Sequence, residues 1–257
     1  MTEHRAVRLL QLTDTHLMAT RDALLHGVCT FKTLQSTLAD AQQRFPDHAG
    51  LLLTGDLVHD DVAGYASLAE LFKTSPVPVY CIPGNHDQPD TMQRVLSSTP
   101  FVLDSHVIMD NWLVVLLSSW QANQVSGKLG KAQLQQLAAL LTTHPHHHTL
   151  ICMHHHPLAM QSQWLDELGL EDAEAFHACI KQHAQVRGVL WGHVHQAHDC
   201  MRDGVHYMAT PSTCMQFLPK SDSFAMDNQP PAYRSIELHG DGLITTEVIW
   251  VQPLKAI

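Results

Sequence analysis

Five times along this chain, a short apolar run ends in a block that carries Asp, Asn or His. The blocks are Asp14-Thr15-His16, Gly55-Asp56, Gly84-Asn85-His86-Asp87, His154-His155-His156 and Gly192-His193-Val194-His195. Each run reads as a β-strand, and ligands on loops after such strands can converge on one edge of a sheet. The donors are Asp, Asn and His with no Cys, a set that suits hard to borderline ions such as Mn²⁺, Fe²⁺ or Zn²⁺. Their order suits two adjacent ions, and two ions about 3.5–4 Å apart clamp a phosphoryl group for in-line displacement. The pattern predicts a phosphoesterase.

The segments between the blocks alternate strand and helix. Strands are predicted at Val7 to Leu12, Leu51 to Leu53, Val77 to Ile82, Trp112 to Leu117, Leu150 to Met153 and Val189 to Trp191. Phe31, Leu34, Leu38, Ala41 and Phe45 recur at helical spacing, and Pro46 ends that helix. Ala63 to Phe72 also reads as helix, as does the segment of Leu134, Leu137, Leu140 and Leu141 before Pro145. The opening β-α-β-α-β run implies a parallel sheet with crossover helices. The last sixty or so residues change character: Val205 to Met208, Arg234 to Leu238 and Ile244 to Val251 read as strands, with Gly240-Asp241-Gly242 as a hairpin turn. That tail predicts a second, more antiparallel sheet packed on the first. With no repeat and no flexible linker, residues 1–257 are expected to form a single domain.

Composition narrows the partners. A net charge of −10 with only 15 Lys and Arg disfavours a nucleic-acid binder, which needs a basic surface. A small anionic substrate is compatible, because bound cations can supply local positive charge. The start, MTEHRAV, lacks the apolar core of a signal peptide, and no run of about 18 apolar residues suggests a membrane span. The six cysteines, at 29, 81, 152, 179, 200 and 214, form no C-x-x-C and fit a reducing cytoplasm.

Taken singly, each block has an ordinary reading. Asp-Thr-His and Gly-Asp occur in many turns, and Gly-Asn-His-Asp could be an Asn turn. The chemistry is in the combination. If its strand continued, Asp14 and His16 would point to the same side and could share one ion. Asp56 has two carboxylate oxygens and could bridge two ions. Asn85 offers a neutral amide oxygen, and Gly84 lets the backbone approach an anion. His193 and His195 follow a strand with one residue between them. Of the other histidines, His144 and His146 to His148 are expected in a solvated loop. His4, His26, His48, His106, His177, His183 and His239 are expected at the surface.

The series D-x-H, G-D, G-N-H-D, H and G-H-x-H, from Asp14 to His195, resembles the calcineurin-like metallophosphoesterase superfamily. The stretches His154-His155-His156-Pro157-Leu158, Trp164-Leu165-Asp166 and Ala209-Thr210-Pro211-Ser212-Thr213-Cys214 are similar, more narrowly, to bacterial class III 3′,5′-cyclic AMP phosphodiesterases. This resemblance implies a four-layer α/β/β/α sandwich with two mixed sheets and the metals at the sheet edge. It implies a first ion held by Asp14, His16, Asp56 and His195 and a second by Asp56, Asn85, His154 and His193. Iron or manganese is the expected pair, with zinc an alternative. His86 would face the scissile phosphate as the catalytic acid, and His16, Asp56, Asn85, His86, His154 and His195 would line the substrate. Among the three consecutive histidines, His154 comes first after the strand, as the family pattern has it.

The implied reaction is hydrolysis of cyclic AMP to 5′-AMP. A water bridging two cations would become hydroxide near neutral pH and attack in line with the leaving O3′. His86 would hydrogen-bond a phosphoryl oxygen or protonate the leaving group, oriented by Asp87 or a backbone carbonyl. His155 and His156 either orient ligands or simply pack. Trp164 and Phe217 either stack on a base or pack under a loop. Where relatives often carry Asn, this chain has Glu171-Asp172, read as a helix N-cap that Asp and Asn serve alike. Other small phosphate esters, such as cyclic GMP, 2′,3′-cyclic nucleotides or monoesters, are the alternative substrates. A non-catalytic binding module of this fold would be expected to have lost ligands, and all seven are here.

Overall fold

The structure, a computed structural model, describes residues 6–252, so His4 lies outside the described residues. The first half of the chain runs β1 (Val7–Leu12), α1 (Thr30–Arg44), β2 (Gly50–Thr54), α2 (Gly64–Phe72), β3 (Val79–Ile82), α3 (Pro89–Val95), β4 (Phe101–Val102), β5 (His106–Met109) and β6 (Trp112–Leu116). The second half runs α4 (Gly130–Thr143), β7 (His148–Cys152), α5 (Gln163–Asp166), α6 (Ala173–Ile180), β8 (Val186–Trp191), β9 (His198–Arg202), β10 (Val205–Ala209), β11 (Gln216–Phe217), β12 (Met226–Asp227), β13 (Ala232–Leu238) and β14 (Ile244–Trp250).

Two six-stranded mixed sheets carry the fold, ordered β14-β13-β1-β2-β3-β4 and β5-β6-β7-β8-β10-β9. In the first, β1 to β4 are parallel, and β13 and β14 are added antiparallel. In the second, β6, β7, β8 and β10 are parallel, with β5 and β9 antiparallel at the edges.

Strand alternation sorts each apolar residue into a layer. Leu10, Leu12, Leu51 and Leu53 pack with Leu34 and Leu38 of α1 and with Tyr65, Leu68 and Phe72 of α2. Leu9 and Leu52, from the opposite face, pack with Trp112, Val114, Leu150 and Leu190 of the other sheet. Leu113, Val115, Ile151 and Val189 pack outward with Leu137 and Leu141 of α4 and Phe176 and Ile180 of α6. The order of layers is therefore α/β/β/α. Both faces of the central strands are covered, so they appear in the sequence as continuous apolar runs.

One buried cation ties the two sheets together. Arg234 of β13 is 1% exposed. Its guanidinium donates to Thr210 Oγ1 at 3.1 Å, Asp199 Oδ2 at 2.9 Å, Ala209 O at 2.7 Å and His198 O at 3.2 Å. Thr210 in turn donates to Gln11, whose amide donates to Thr54 Oγ1 at 2.7 Å and to Trp191 O at 3.2 Å. Every polar atom in this chain of contacts has a partner, as burial requires.

Several expectations are corrected. The C-terminal strands do not build a sheet of their own: β13 and β14 extend the first sheet, and β9 and β10 extend the second. His48 is buried, 5% exposed, because its Nδ1 donates to Phe45 O at 2.7 Å just past the end of α1. His177 is half-buried, with both ring nitrogens in hydrogen bonds. His148 opens β7 rather than lying in a loop. Asp172 sits at the N-cap position of α6 but does not cap it. Its carboxylate accepts from Leu129 N at 3.0 Å and Gly130 N at 2.8 Å, serving the start of α4 instead.

Candidate metal centre

All five blocks leave the C-terminal ends of parallel strands: β1, β2 and β3 of one sheet, β7 and β8 of the other. The loops continue to pair as they leave the sheet, with Asp14 N donating to Gly55 O at 3.0 Å and His16 N to Asp56 O at 2.9 Å. Extended backbone then gives way to tight turning. Asp14, His16, Asp56, His193 and His195 all have positive φ, between 44° and 65°. Asp14 and His16 thus meet through left-handed turns, not through continued strand alternation. Side chains other than glycine adopt this region at a cost of about 1–3 kcal/mol each, and keep it only where neighbours fix it. Five of the seven expected ligands carry this strain.

The donors converge. His16 Nε2 and His195 Nε2 lie 3.2 Å apart, and His195 Nε2 is 3.3 Å from Asp14 Oδ1. Asp56 Oδ2 is 3.7 Å from His16 Nε2 and 3.3 Å from His154 Nε2, so one carboxylate oxygen faces both halves of the cluster. His154 Nε2 also lies 3.2 Å from Asn85 Oδ1. Ligand atoms of Asp14, His16 and His195, and of Asp14, Asp56 and His154, fall within 4.8 Å of one another.

The rings are set for coordination. His154 Nδ1 donates to Thr54 O at 2.8 Å and His195 Nδ1 to Met215 O at 2.8 Å, which turns the Nε2 of each ring toward the cluster. His193 Nε2 is buried and has no partner among the described residues, while its backbone N–H donates to both oxygens of Asp14 at 3.0 Å. A buried polar atom without a partner is costly unless something satisfies it. A divalent ion would do so.

Electrostatics agree. Burial, reinforced by neighbouring histidines, holds His16 and His193 well below the ordinary histidine range, so both rings are neutral. Burial alone would raise the Asp56 carboxyl, but His154, His86 and His16 hold it well below the usual carboxylate range. Burial would likewise lower His154, yet Asp56 outweighs it and lifts the ring to about 9. Without a cation, this pair keeps a proton.

The glycines allow the crowding. A Cβ added at Gly84 would run into the Asp56 carboxylate, and one added at Gly192 would meet Thr13 and Asp14. The stretch from Ala209 to Cys214 braces the same loops: Ser212 Oγ donates to Asp14 O at 2.8 Å, and Thr213 N donates to Thr13 O at 3.1 Å.

His86 stands apart from the buried donors, its side chain 27% exposed. Its backbone N–H donates to Asp56 Oδ1 at 2.9 Å and its Nδ1 lies 3.0 Å from Asp60 Oδ2. Asp87 does not orient this ring. Its carboxylate instead accepts from Leu57 N, Val58 N, Gly84 N and Tyr65 Oη, holding two blocks together. His59 stacks on His86 with ring centroids 4.4 Å apart, and its Nδ1 lies 3.1 Å from His16 Nδ1. His59 and Asp60 were missed from sequence, although both lie within four residues of Asp56.

His155 is tied off by Ser119 Oγ at 2.7 Å and Val125 O at 3.0 Å, a packing role. His156 stacks on His193 at 5.6 Å and is lowered to about 4 by burial. Phe217 lies flat on His195, with centroids 4.0 Å apart, and packs edge-on with Trp164 and Phe224. Trp164 therefore belongs to an aromatic cluster beside the site.

The pattern of the calcineurin-like phosphoesterase family matches residues 7–197. The chain is 39% identical to the 3′,5′-cyclic adenosine monophosphate phosphodiesterase CpdA of Vibrio vulnificus, over 95% of this chain and 89% of that one. It is 36% identical to CpdA of Escherichia coli K12, over 94% and 89% of the two chains. In three dimensions it is similar to a dimetal phosphatase from Danio rerio, with a TM-score of 0.67 at 16% identity, covering 97% of this chain and all of that one.

Proposed function

The chain belongs to the calcineurin-like phosphoesterase family, and on that premise we propose that it hydrolyses 3′,5′-cyclic AMP to 5′-AMP, acting as a single domain in the cytoplasm. The observation that carries this reading is identity of 36–39% to cyclic AMP phosphodiesterases over nearly the whole chain. The cluster of Asp, Asn and His at one sheet edge supports it. All six cysteines are unpaired, consistent with a reducing compartment.

In this reading Asp14, His16, Asp56 and His195 would hold one divalent ion, and Asp56, Asn85, His154 and His193 the other. Iron or manganese fits this oxygen- and imidazole-rich donor set. When bound, such ions would supply acidification of water at the site and neutralisation of the phosphodiester charge. The protein's own groups do the rest. His86 stands at the opening with Nδ1 on Asp60, and its Nε2 hydrogen-bonds a phosphoryl oxygen or gives a proton to the departing O3′. Asp60 fixes the ring's tautomer and angle. Water adds across the P–O3′ bond, and the product is a 5′-monoester.

The test is product analysis after incubation of the metal-loaded protein with cyclic AMP, cyclic GMP, 2′,3′-cyclic AMP and bis(p-nitrophenyl) phosphate, each alone. Conversion of cyclic AMP to 5′-AMP, lost on full chelation, is expected. Absence of cyclic AMP turnover with both ions bound, or faster cleavage of single-stranded oligonucleotides, would overturn the reading.

A further inference from the structure

The chain has only 15 Lys and Arg residues, and three of them, Lys181, Arg187 and Arg202, line one cavity of about 400 Å³. His177, His183 and Tyr207 complete its polar wall, and Asp203 is the one carboxylate among its lining residues. The cavity lies where α6 ends, β8 begins and the β9–β10 turn closes over them. The metal-ligand block of the same strand, at Gly192-His193, is at the other end of β8, roughly 20 Å away at a strand's rise per residue.

The charges are available. Arg202 Nε is 4.0 Å from Asp203 Oδ2, a loose pair at the turn. Neither Lys181 nor Arg187 has a carboxylate within ion-pair distance among the described residues; the Arg187 Nε faces His148 Nδ1 at 3.5 Å. In a protein of net charge −10, three cations around one concavity form an isolated positive site. Its size is within the range of small-molecule pockets. Cations around a cavity suit a phosphate group, to which they make charge-assisted hydrogen bonds.

We propose that this cavity is a second ligand site, separate from the metal centre, that binds the phosphate group of a small phosphorylated molecule or inorganic phosphate. Its wall has a defined link to the metal loops. His177 Nε2 donates to Pro157 O at 3.0 Å, which leaves Nδ1 to accept from Tyr207 Oη at 3.1 Å. Pro157 follows the His154-His155-His156 block directly.

The test is an amide-resolved NMR titration of the Zn²⁺-loaded protein, with inorganic phosphate, 5′-AMP and adenosine as probes at constant ionic strength. Saturable shifts are expected at residues 181–187 and 202–205, distinct from any at 192–195. Replacing Lys181→Gln together with Arg187→Gln should weaken the first set by about tenfold or more, as the loss of charge-assisted hydrogen bonds implies, and leave the second unchanged. Lys181→Glu, at an exposed position, gives the same readout should the double variant fold poorly. Tighter binding of 5′-AMP than of phosphate identifies a nucleotide ligand, and equal binding identifies the phosphate group alone; both support the site. No shift at these amides, shifts indifferent to the substitutions, or equal shifts with adenosine would overturn the proposal.

Discussion

Asp60 Oδ2 holds the Nδ1 of His86 at 3.0 Å, although Asp60 itself is 70% exposed. An orienting carboxylate so open to solvent restrains the ring without burying a charge. Asp60→Ala should therefore lower kcat modestly, by about tenfold, while His86→Ala should lower it by about 10²–10⁴-fold with metal content intact. The double variant should be no slower than His86→Ala, since residues acting as a unit are not additive. Steady-state kinetics on the three variants checks this; multiplicative losses would show that Asp60 acts elsewhere.

Asp56 faces both halves of the donor cluster through one oxygen and fixes the backbone of His86 through the other. Asp56→Ala should abolish turnover and reduce bound metal at both positions. Metal analysis by mass spectrometry, beside circular dichroism to confirm the fold, measures it. A variant with two ions and near-normal rate would overturn the proposal that Asp56 bridges them.

The Asp56–His154 pair keeps a proton up to a pH of about 9 when no cation is present. An ion that takes His154 Nε2 must displace that proton, so apparent metal affinity should rise with pH, by up to about tenfold per unit between pH 7 and 9, and level off above. Calorimetric titration in buffers of different ionisation enthalpy should count close to one proton released at pH 7. A pH-independent affinity would contradict it.

Arg234→Met should destabilise the fold by roughly 2–4 kcal/mol, because truncation leaves the Ala209 and His198 carbonyls and Thr210 without their donor. Urea denaturation of the two proteins gives the difference. A change under 1 kcal/mol would mean that the buried network relaxes around the loss.

The donor blocks were legible because each follows a buried strand whose apolar run is unmistakable, as in Leu51 to Leu53 before Gly55-Asp56. Partnering was not. Nothing in Arg234 to Leu238 says that this strand pairs with β1, since β13 is covered on both faces like any central strand. Asp60 escaped because its contact with His86 joins two loops 26 residues apart. His48 was misplaced because its Nδ1 donates to the carbonyl of Phe45 at the end of α1, a contact that draws the ring in and depends on local helix-end geometry. Asp172 was read as serving its own helix, and its true partners are 42 and 43 residues away.

The left-handed turns at Asp14, His16, Asp56, His193 and His195 set a limit on improving this protein. Glycine at any of these positions would relieve backbone strain and remove a donor in the same stroke. Stability and the proposed metal binding thus pull in opposite directions at the same residues, and a hardier variant has to be sought away from the sheet edge, on the helices and the outer strands.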